Sequence, residues 1–304
     1  MIYPRTTIAS KIGRASRTMQ ALLAKAPSKL ATVAAARSTE PKIAAALAIA
    51  GLHDPRGVDD ALGALGVRDH TAPPELYAFG GKLLAIAGDP QAAHALLRTA
   101  RERERDKDHF DCDDIALELP RGRAADAWRL AFPRLFDREV EVAARESGVP
   151  SALIYAVMRE ESAFSPRAVS VANARGLLQL IPATGARMAR NLGLRYNDKL
   201  LFEPEPNLRI GAQYLASLRR RFGSATPLAV AGYNAGPGAP DDWIEQMPSW
   251  DLDLFVERIP YAETKAYVKR VWSSYFAYVV LYGGGALTDV VATSEKVPST
   301  RTRG

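Results

Sequence analysis

Ser151-Ala-Leu-Ile-Tyr-Ala-Val-Met-Arg-Glu-Glu161, followed at once by Ser162-Ala-Phe-Ser-Pro166, is the stretch from which the rest of the chain can be read. Its apolar residues recur at a helical period, and Pro166 stops the helix within a turn of the two glutamates, because a residue before proline is driven out of the α region. On that period Glu161 neighbours Ile154, Val157 and Met158, so its carboxylate rises from an apolar stripe at the negative end of the helix dipole. Both conditions disfavour the anion, raise the pKa and suit the group to act as a general acid near neutral pH. Periodicity does not choose cleanly between Glu161 and Glu160, which lies near Leu153, Ala156 and Val157. From this helix alone, an exposed glutamate pair in a last turn is the default reading.

Helical signals dominate outward in both directions, and no run of alternating strands stands out. Upstream, from Ala21 to about Ala131, short Ala/Leu-rich segments are broken at Gly51-Leu-His-Asp-Pro55, Ala72-Pro-Pro74, Gly88-Asp-Pro90 and Pro120-Arg-Gly122, which predicts stacked helical hairpins without a fixed repeat period. A boundary is expected near Phe132-Pro133. Beyond it come a helix carrying Phe136, Val140, Val142 and Ala143 that ends at Gly148, then the Glu161 helix and a loop from Pro166 to Arg175. A helix opened by Pro182, a long one from about Pro206 to Phe222, and a last one from about Thr264 to Tyr282 follow. The aromatics of the last helix fall at core spacing. The chain therefore divides into a basic segment 1–40, a helical region 41–135, a second helical domain 136–285 and a Ser/Thr/Arg-rich tail 286–304 expected to be disordered.

Charge and rare residues narrow the chemistry. Of 40 Lys/Arg and 34 Asp/Glu, residues 1–40 hold seven and one, so the remainder carries 33 of each and is no trap for a nucleic acid or other polyanion. The basic start fits a transit peptide, a contact for anionic cell-wall polymers or, most simply, the solvated face of an N-terminal helix. No apolar run approaches the ~18 residues of a membrane span. All four histidines (His53, His70, His94, His109) and Cys112 precede residue 113, so the second half has no residues for a His-dependent nucleophile pair or a His/Cys metal site, and no metal or cofactor is expected.

Four motifs then carry a resemblance. They are the Glu161-Ser162 helix end, Ser170-Val-Ala-Asn-Ala-Arg-Gly-Leu-Leu-Gln179-Leu-Ile-Pro-Ala-Thr184, Gly232-Tyr-Asn-Ala-Gly-Pro-Gly238 and Glu257-Arg-Ile-Pro-Tyr-Ala-Glu-Thr-Lys-Ala-Tyr-Val268. In order and spacing they resemble the soluble lytic transglycosylases, the Slt-type family that cleaves peptidoglycan. The resemblance implies an all-α fold: a lysozyme-like catalytic domain preceded by part of an α-superhelical region. It implies cleavage between N-acetylmuramic acid and N-acetylglucosamine with 1,6-anhydro ends, and Glu161 acting as acid and then base. It further implies substrate contacts from Ser170, Gln179, Thr184, Tyr214, Tyr233, Asn234 and Glu263, the last facing a cation of the stem peptide.

Glycosidases normally use two carboxylates, and Ser165 to Thr184 contains none; Asp241, Asp242, Glu257 and Glu263 remain distant candidates. A goose-type hydrolytic muramidase and a non-catalytic wall-binding scaffold are the alternatives. The implied partner is peptidoglycan with its stem peptides, and the implied location is the periplasm or cell envelope. No secretory signal pattern is present, for which a trimmed or misassigned N-terminus is the preferred resolution. Three positions depart from the family pattern: Asn173 for a frequent Gly, Ile181 for Met and Lys265 for Arg.

Overall fold

A computed structural model describes residues 46, 49–50, 52–68, 72, 74–89, 91–96, 129, 132–223, 225–247, 250–283, 285 and 297. The basic segment 1–40, His70, His109, Cys112 and all of the tail but Val297 lie outside these. The chain divides into two compact units, Met1–Leu135 and Phe136–Gly304.

In the first unit the punctuation read from the sequence sets the helix ends. Helix α1 (Pro55–Gly63) begins at Pro55, with the Asp54 side chain accepting from the Gly57 amide at 3.0 Å. Helix α2 (Pro74–Ala87) stops before Gly88. The two pack together around Val58, Leu62, Tyr77, Leu83 and Leu84.

The second unit is helical too, as expected. Helix α3 (Asp137–Ser147) starts one residue after Phe136, whose left-handed backbone (φ 59°) keeps it outside, and ends on Gly148. Helix α4 (Ser151–Ser162) carries the two glutamates, and its residues 152–159 are all buried. Burial of Leu153, Ile154, Val157 and Met158 contributes about 1.5–3 kcal/mol per side chain. Then come α5 (Pro182–Asn191), a 3₁₀ turn (Asp198–Phe202), α6 (Pro204–Arg221), α7 (Thr226–Ala235), α8 (Gly238–Gln246), α9 (Leu252–Arg258) and α10 (Ala262–Tyr282). Helix α6 starts two residues earlier than expected because Pro204 takes the first helical position, where its missing N–H costs nothing.

The helix that carries the glutamates is held from two sides. Helix α4 lies against α10 and α3; α6 lies against α3 and α7; α7 also meets α10. The α10 aromatics Trp272, Tyr275 and Tyr278 are buried in that core, with Tyr278 stacked on Tyr155 of α4 at 5.2 Å between centroids. Extended pairing among the described residues is limited to the isolated bridges Val169–Arg175 and Arg175–Leu180 inside the loop after α4. No described helix is long and apolar enough to cross a membrane.

Candidate active site

Two consecutive residues on a helix point about 100° apart, and the environments of Glu160 and Glu161 differ accordingly. The Glu160 side chain is 3% exposed and ion-paired with Arg159; its Oε1 accepts from Ser274 Oγ at 2.9 Å, and its Oε2 lies 3.3 Å from Arg270 Nε. Glu161 is only part-buried, and its hydrogen-bond partner among the described residues is the Tyr267 hydroxyl. The two carboxylates that periodicity left alike thus differ in their surroundings: Glu160 is locked into the α4–α10 interface, and Glu161 is held by one phenol.

Desolvation is the main force raising the Glu161 pKa, to about 7; the Tyr267 hydrogen bond opposes it, the neighbouring Glu160 charge adds to it and Arg270 opposes it. Burial and the nearby Glu161 hold the Tyr267 and Tyr233 phenols well above their ordinary range, so both stay protonated donors. Because the Tyr267 hydroxyl donates to Glu161, Tyr267→Phe removes an interaction that favours the anion and is expected to move the Glu161 pKa upward. A ¹³C NMR titration of the carboxyl reads this directly, and an unchanged or lower value would contradict the assignment.

The loop after α4 is folded by its own polar groups. Helix α4 ends in two consecutive left-handed residues, Ala163 (φ 49°) and Phe164 (φ 66°), the latter fully buried. Ser162 Oγ donates to the Leu177 carbonyl at 2.8 Å. Ser170 Oγ accepts from the Ala174 amide at 3.1 Å, and Gln179 Nε2 donates to the Ala168 and Gly176 carbonyls at 3.1 and 2.9 Å. Asn173 adopts φ 60°, a conformation that asparagine accepts more readily than most residues. Gly176 (φ 75°) has no room for a side chain, since a Cβ there would lie 2.0 Å from the Leu201 carbonyl oxygen.

Beneath the loop sits Asn207, fully buried on α6. Its Oδ1 accepts from the Leu178 amide at 2.9 Å, while Nδ2 donates to the Leu201 carbonyl at 2.7 Å and the Arg175 carbonyl at 3.1 Å. Sequence reasoning missed it, together with Tyr267, Ser162 and the Arg159–Arg270–Ser274 cluster. The available signal for Asn207 was an asparagine on the face of α6 that also carries Leu208, Gly211 and Tyr214.

From the other side, Tyr233 at the end of α7 donates to the Leu178 carbonyl at 2.8 Å, and its ring packs on the buried Tyr214 at 5.2 Å. The Arg187 guanidinium lies 6.0 Å from the Tyr214 ring centre. Asn234 Oδ1 accepts from Thr264 Oγ1 at 2.7 Å, tying α7 to α10. Tyr233, Tyr214 and the Gln179 loop are therefore joined through contacts, and the Glu161 charge is felt at Tyr233. Thr184 makes no cap at the start of α5, and Glu263 is exposed in the first turn of α10. No group of three or more His, Cys, Asp or Glu able to hold a metal occurs among the described residues.

Comparison with known proteins defines the class. Residues 139–254 match the transglycosylase SLT domain, so the motif resemblance to the soluble lytic transglycosylases is borne out for this part of the chain. The soluble lytic murein transglycosylase of Escherichia coli K12 is 35% identical over 167 residues, 54% of this chain and 25% of that protein. Its Salmonella typhimurium counterpart is 37% identical over 153 residues, 49% of this chain and 23% of that protein. The chain thus spans about a quarter of the length of these relatives. Among solved structures, the 70-kDa soluble lytic transglycosylase of E. coli aligns with a TM-score of 0.51 at 22% identity, covering 81% of this chain and 52% of that one. An inactive mutant of Slt from Pseudomonas aeruginosa aligns at 0.50 and 21% identity, covering 88% and 63%. These likenesses establish a lysozyme-like helical fold.

Proposed function

We propose that the chain is a peptidoglycan lytic transglycosylase in which Glu161 alone performs both proton transfers. The observation that carries this reading is a part-buried carboxyl whose desolvation raises its pKa to about 7, held by a neutral phenol and, among the described residues, in no ion pair. Such a group is protonated in a large fraction of molecules near neutral pH and can return to the anion without large cost, as a residue that gives and then takes a proton requires.

In the first step the Glu161 proton goes to the oxygen between N-acetylmuramic acid and N-acetylglucosamine as the bond from that oxygen to the muramyl C1 breaks. The substrate's own 2-acetamido group supports the cationic carbon. In the second step the Glu161 carboxylate takes the proton of the muramyl C6 hydroxyl, whose oxygen bonds to C1, giving a 1,6-anhydro end without consuming water. Support for the missing second carboxylate comes from the fate of the candidates. Asp241 is buried and bound to Arg221, Glu257 is paired with Lys269 at 2.6 Å, and Asp242 and Glu263 are exposed; Glu160, the neighbour in sequence, is buried in ion pairs. Among the described residues, the negative charge acting on Glu161 is that of Glu160.

The polar groups around Glu161 supply substrate contacts in this reading. Ser170 and Gln179 are assigned what remains of their polar capacity after holding the loop, and Thr184 in the first turn of α5, the Tyr214–Tyr233 pair and Asn234 are assigned to the same groove. Glu263 faces a cationic group of the stem peptide from its exposed position. Peptidoglycan is a substrate of the periplasm or cell envelope, and the protein acts there.

Digestion of purified sacculi in heavy-oxygen water tests this. Cleaved muramyl ends are expected to be unlabelled and to lack the mass of water, because their new C1–O bond is internal. Early solvent label on C1 would make the enzyme a hydrolytic muramidase, and an inert protein that still sediments with peptidoglycan would make it a binding scaffold.

A further inference from the structure

Two of the groups that lock Glu160, and the one that holds Glu161, fall on one stripe of α10. Tyr267, Arg270 and Ser274 are spaced i, i+3 and i+7, so they share one face of that helix, and that face meets both glutamates of α4: Tyr267 meets Glu161, while Arg270 and Ser274 meet Glu160. Arg159 closes the cluster, donating to Ser274 Oγ at 3.3 Å and pairing with Glu160. A buried ion pair is costly to desolvate and weak as a source of stability, so a cluster of this kind next to a catalytic residue asks for another role.

We propose that Glu160 is a positioning and charge-setting residue for Glu161: clamped by Arg159, Ser274 and Arg270, its carboxylate orients the last turn of α4 on α10 and presents a fixed negative charge that keeps the neighbouring carboxyl protonated. The inference rests on the reading of Glu161 as the proton donor and adds the part of the protein that sets its protonation. The groups facing Glu161 are Tyr267 and Arg270 from α10, Tyr233 from α7 and Glu160 from its own helix. Those facing Glu160 are Arg159, Arg270, Ser274 and the phenols of Tyr267 and Tyr278. Helix α3, also packed on α4, contributes Asp137, whose carboxylate is engaged by the Tyr155 hydroxyl. Of the charged groups acting on Glu161, the Glu160 carboxylate favours the protonated form and Arg270 the anion, with Glu160 the stronger. The Arg270 side chain is 53% exposed, so water weakens its opposition.

The two charges act in opposite directions, which a merely structural role does not predict. Glu160→Gln keeps the size of the side chain and an oxygen for Ser274 but removes the charge, so the Glu161 titration is expected to move down by about one pH unit, the scale set by one close charge. On sacculi, kcat/KM then falls about fivefold at pH 7 and is restored at pH 5, as the protonated fraction dictates. Arg270→Gln is expected to move the titration up, by a smaller amount. Both are read by ¹³C NMR of the Glu161 carboxyl, assigned by its loss in Glu161→Gln, as well as by pH–rate profiles. If folded Glu160→Gln titrates like the parent, or if both variants shift in the same direction, the proposal is overturned. If Glu160→Gln does not fold, the upward shift in Arg270→Gln supports the proposal and its absence overturns it. The NMR arm needs no turnover: opposite shifts in a protein inert on sacculi would leave this inference standing and remove the transglycosylase reading instead.

Discussion

Glu161→Gln is expected to abolish cleavage of sacculi, with a loss on the order of 10²–10⁴ or more in kcat, while glycan binding and helical content persist. Glutamine keeps the shape and can still accept from Tyr267, but it can neither give nor take a proton. The same substitution carries a stability signature of opposite sign. In the folded protein the Glu161 carboxyl titrates near 7 instead of near 4.5, so the parent binds more protons when folded than when unfolded between those values. Its stability therefore falls as pH rises through that window. The variant escapes this, so its advantage over the parent should grow from pH 4.5 to pH 7 and level off above, reaching on the order of 1–2 kcal/mol after allowance for partial exposure. Thermal unfolding at pH 4 and pH 8 measures it. Near-parental activity, with Glu160→Gln dead at every pH, would transfer the catalytic role to Glu160.

Asn207→Ala is expected to cost about 3–5 kcal/mol and to remove activity as well. One side chain satisfies the Leu178 amide and the Leu201 carbonyl and shares the Arg175 carbonyl with the Leu180 amide, and each buried polar group left unpaired costs roughly 1–3 kcal/mol, part of it recovered where water can enter. The Leu178 carbonyl also receives the Tyr233 hydroxyl, and Gln179 follows directly, so the loop that borders Glu161 loses its floor. Denaturant unfolding with activity measured in parallel checks this. A loss below about 0.5 kcal/mol, the usual range of a surface substitution, would show that the loop is held by other means.

How far the sequence could be read follows from the range of the interactions involved. Helix ends were legible because proline and glycine act within a turn: Pro55, Pro182, Gly88 and Gly148 all mark ends in the structure. The helical class and the apolar stripe under Glu161 were legible for the same reason. The contrast between the surroundings of Glu160 and Glu161 was not, because it is made by Tyr267, Arg270 and Ser274 on a helix more than 100 residues away. Tyr267 stood inside a recognised motif, yet nothing local distinguishes a tyrosine that packs from one that reaches a carboxyl. Ser170 and Gln179 show the converse. Their bonds to the loop backbone are what small polar residues do by default, and the folded loop is what those bonds produce.

The corner at Ala163 and Phe164 bears on how much the site can wander. A left-handed backbone costs an alanine about 1–2 kcal/mol, and a glycine would remove that cost while widening the range of shapes the corner can visit. With a methyl group at one residue and a fully buried ring at the next, few torsional states remain open. The end of α4 is therefore denied the swing that a glycine hinge would allow, and the carboxyl two residues before the corner holds one place throughout.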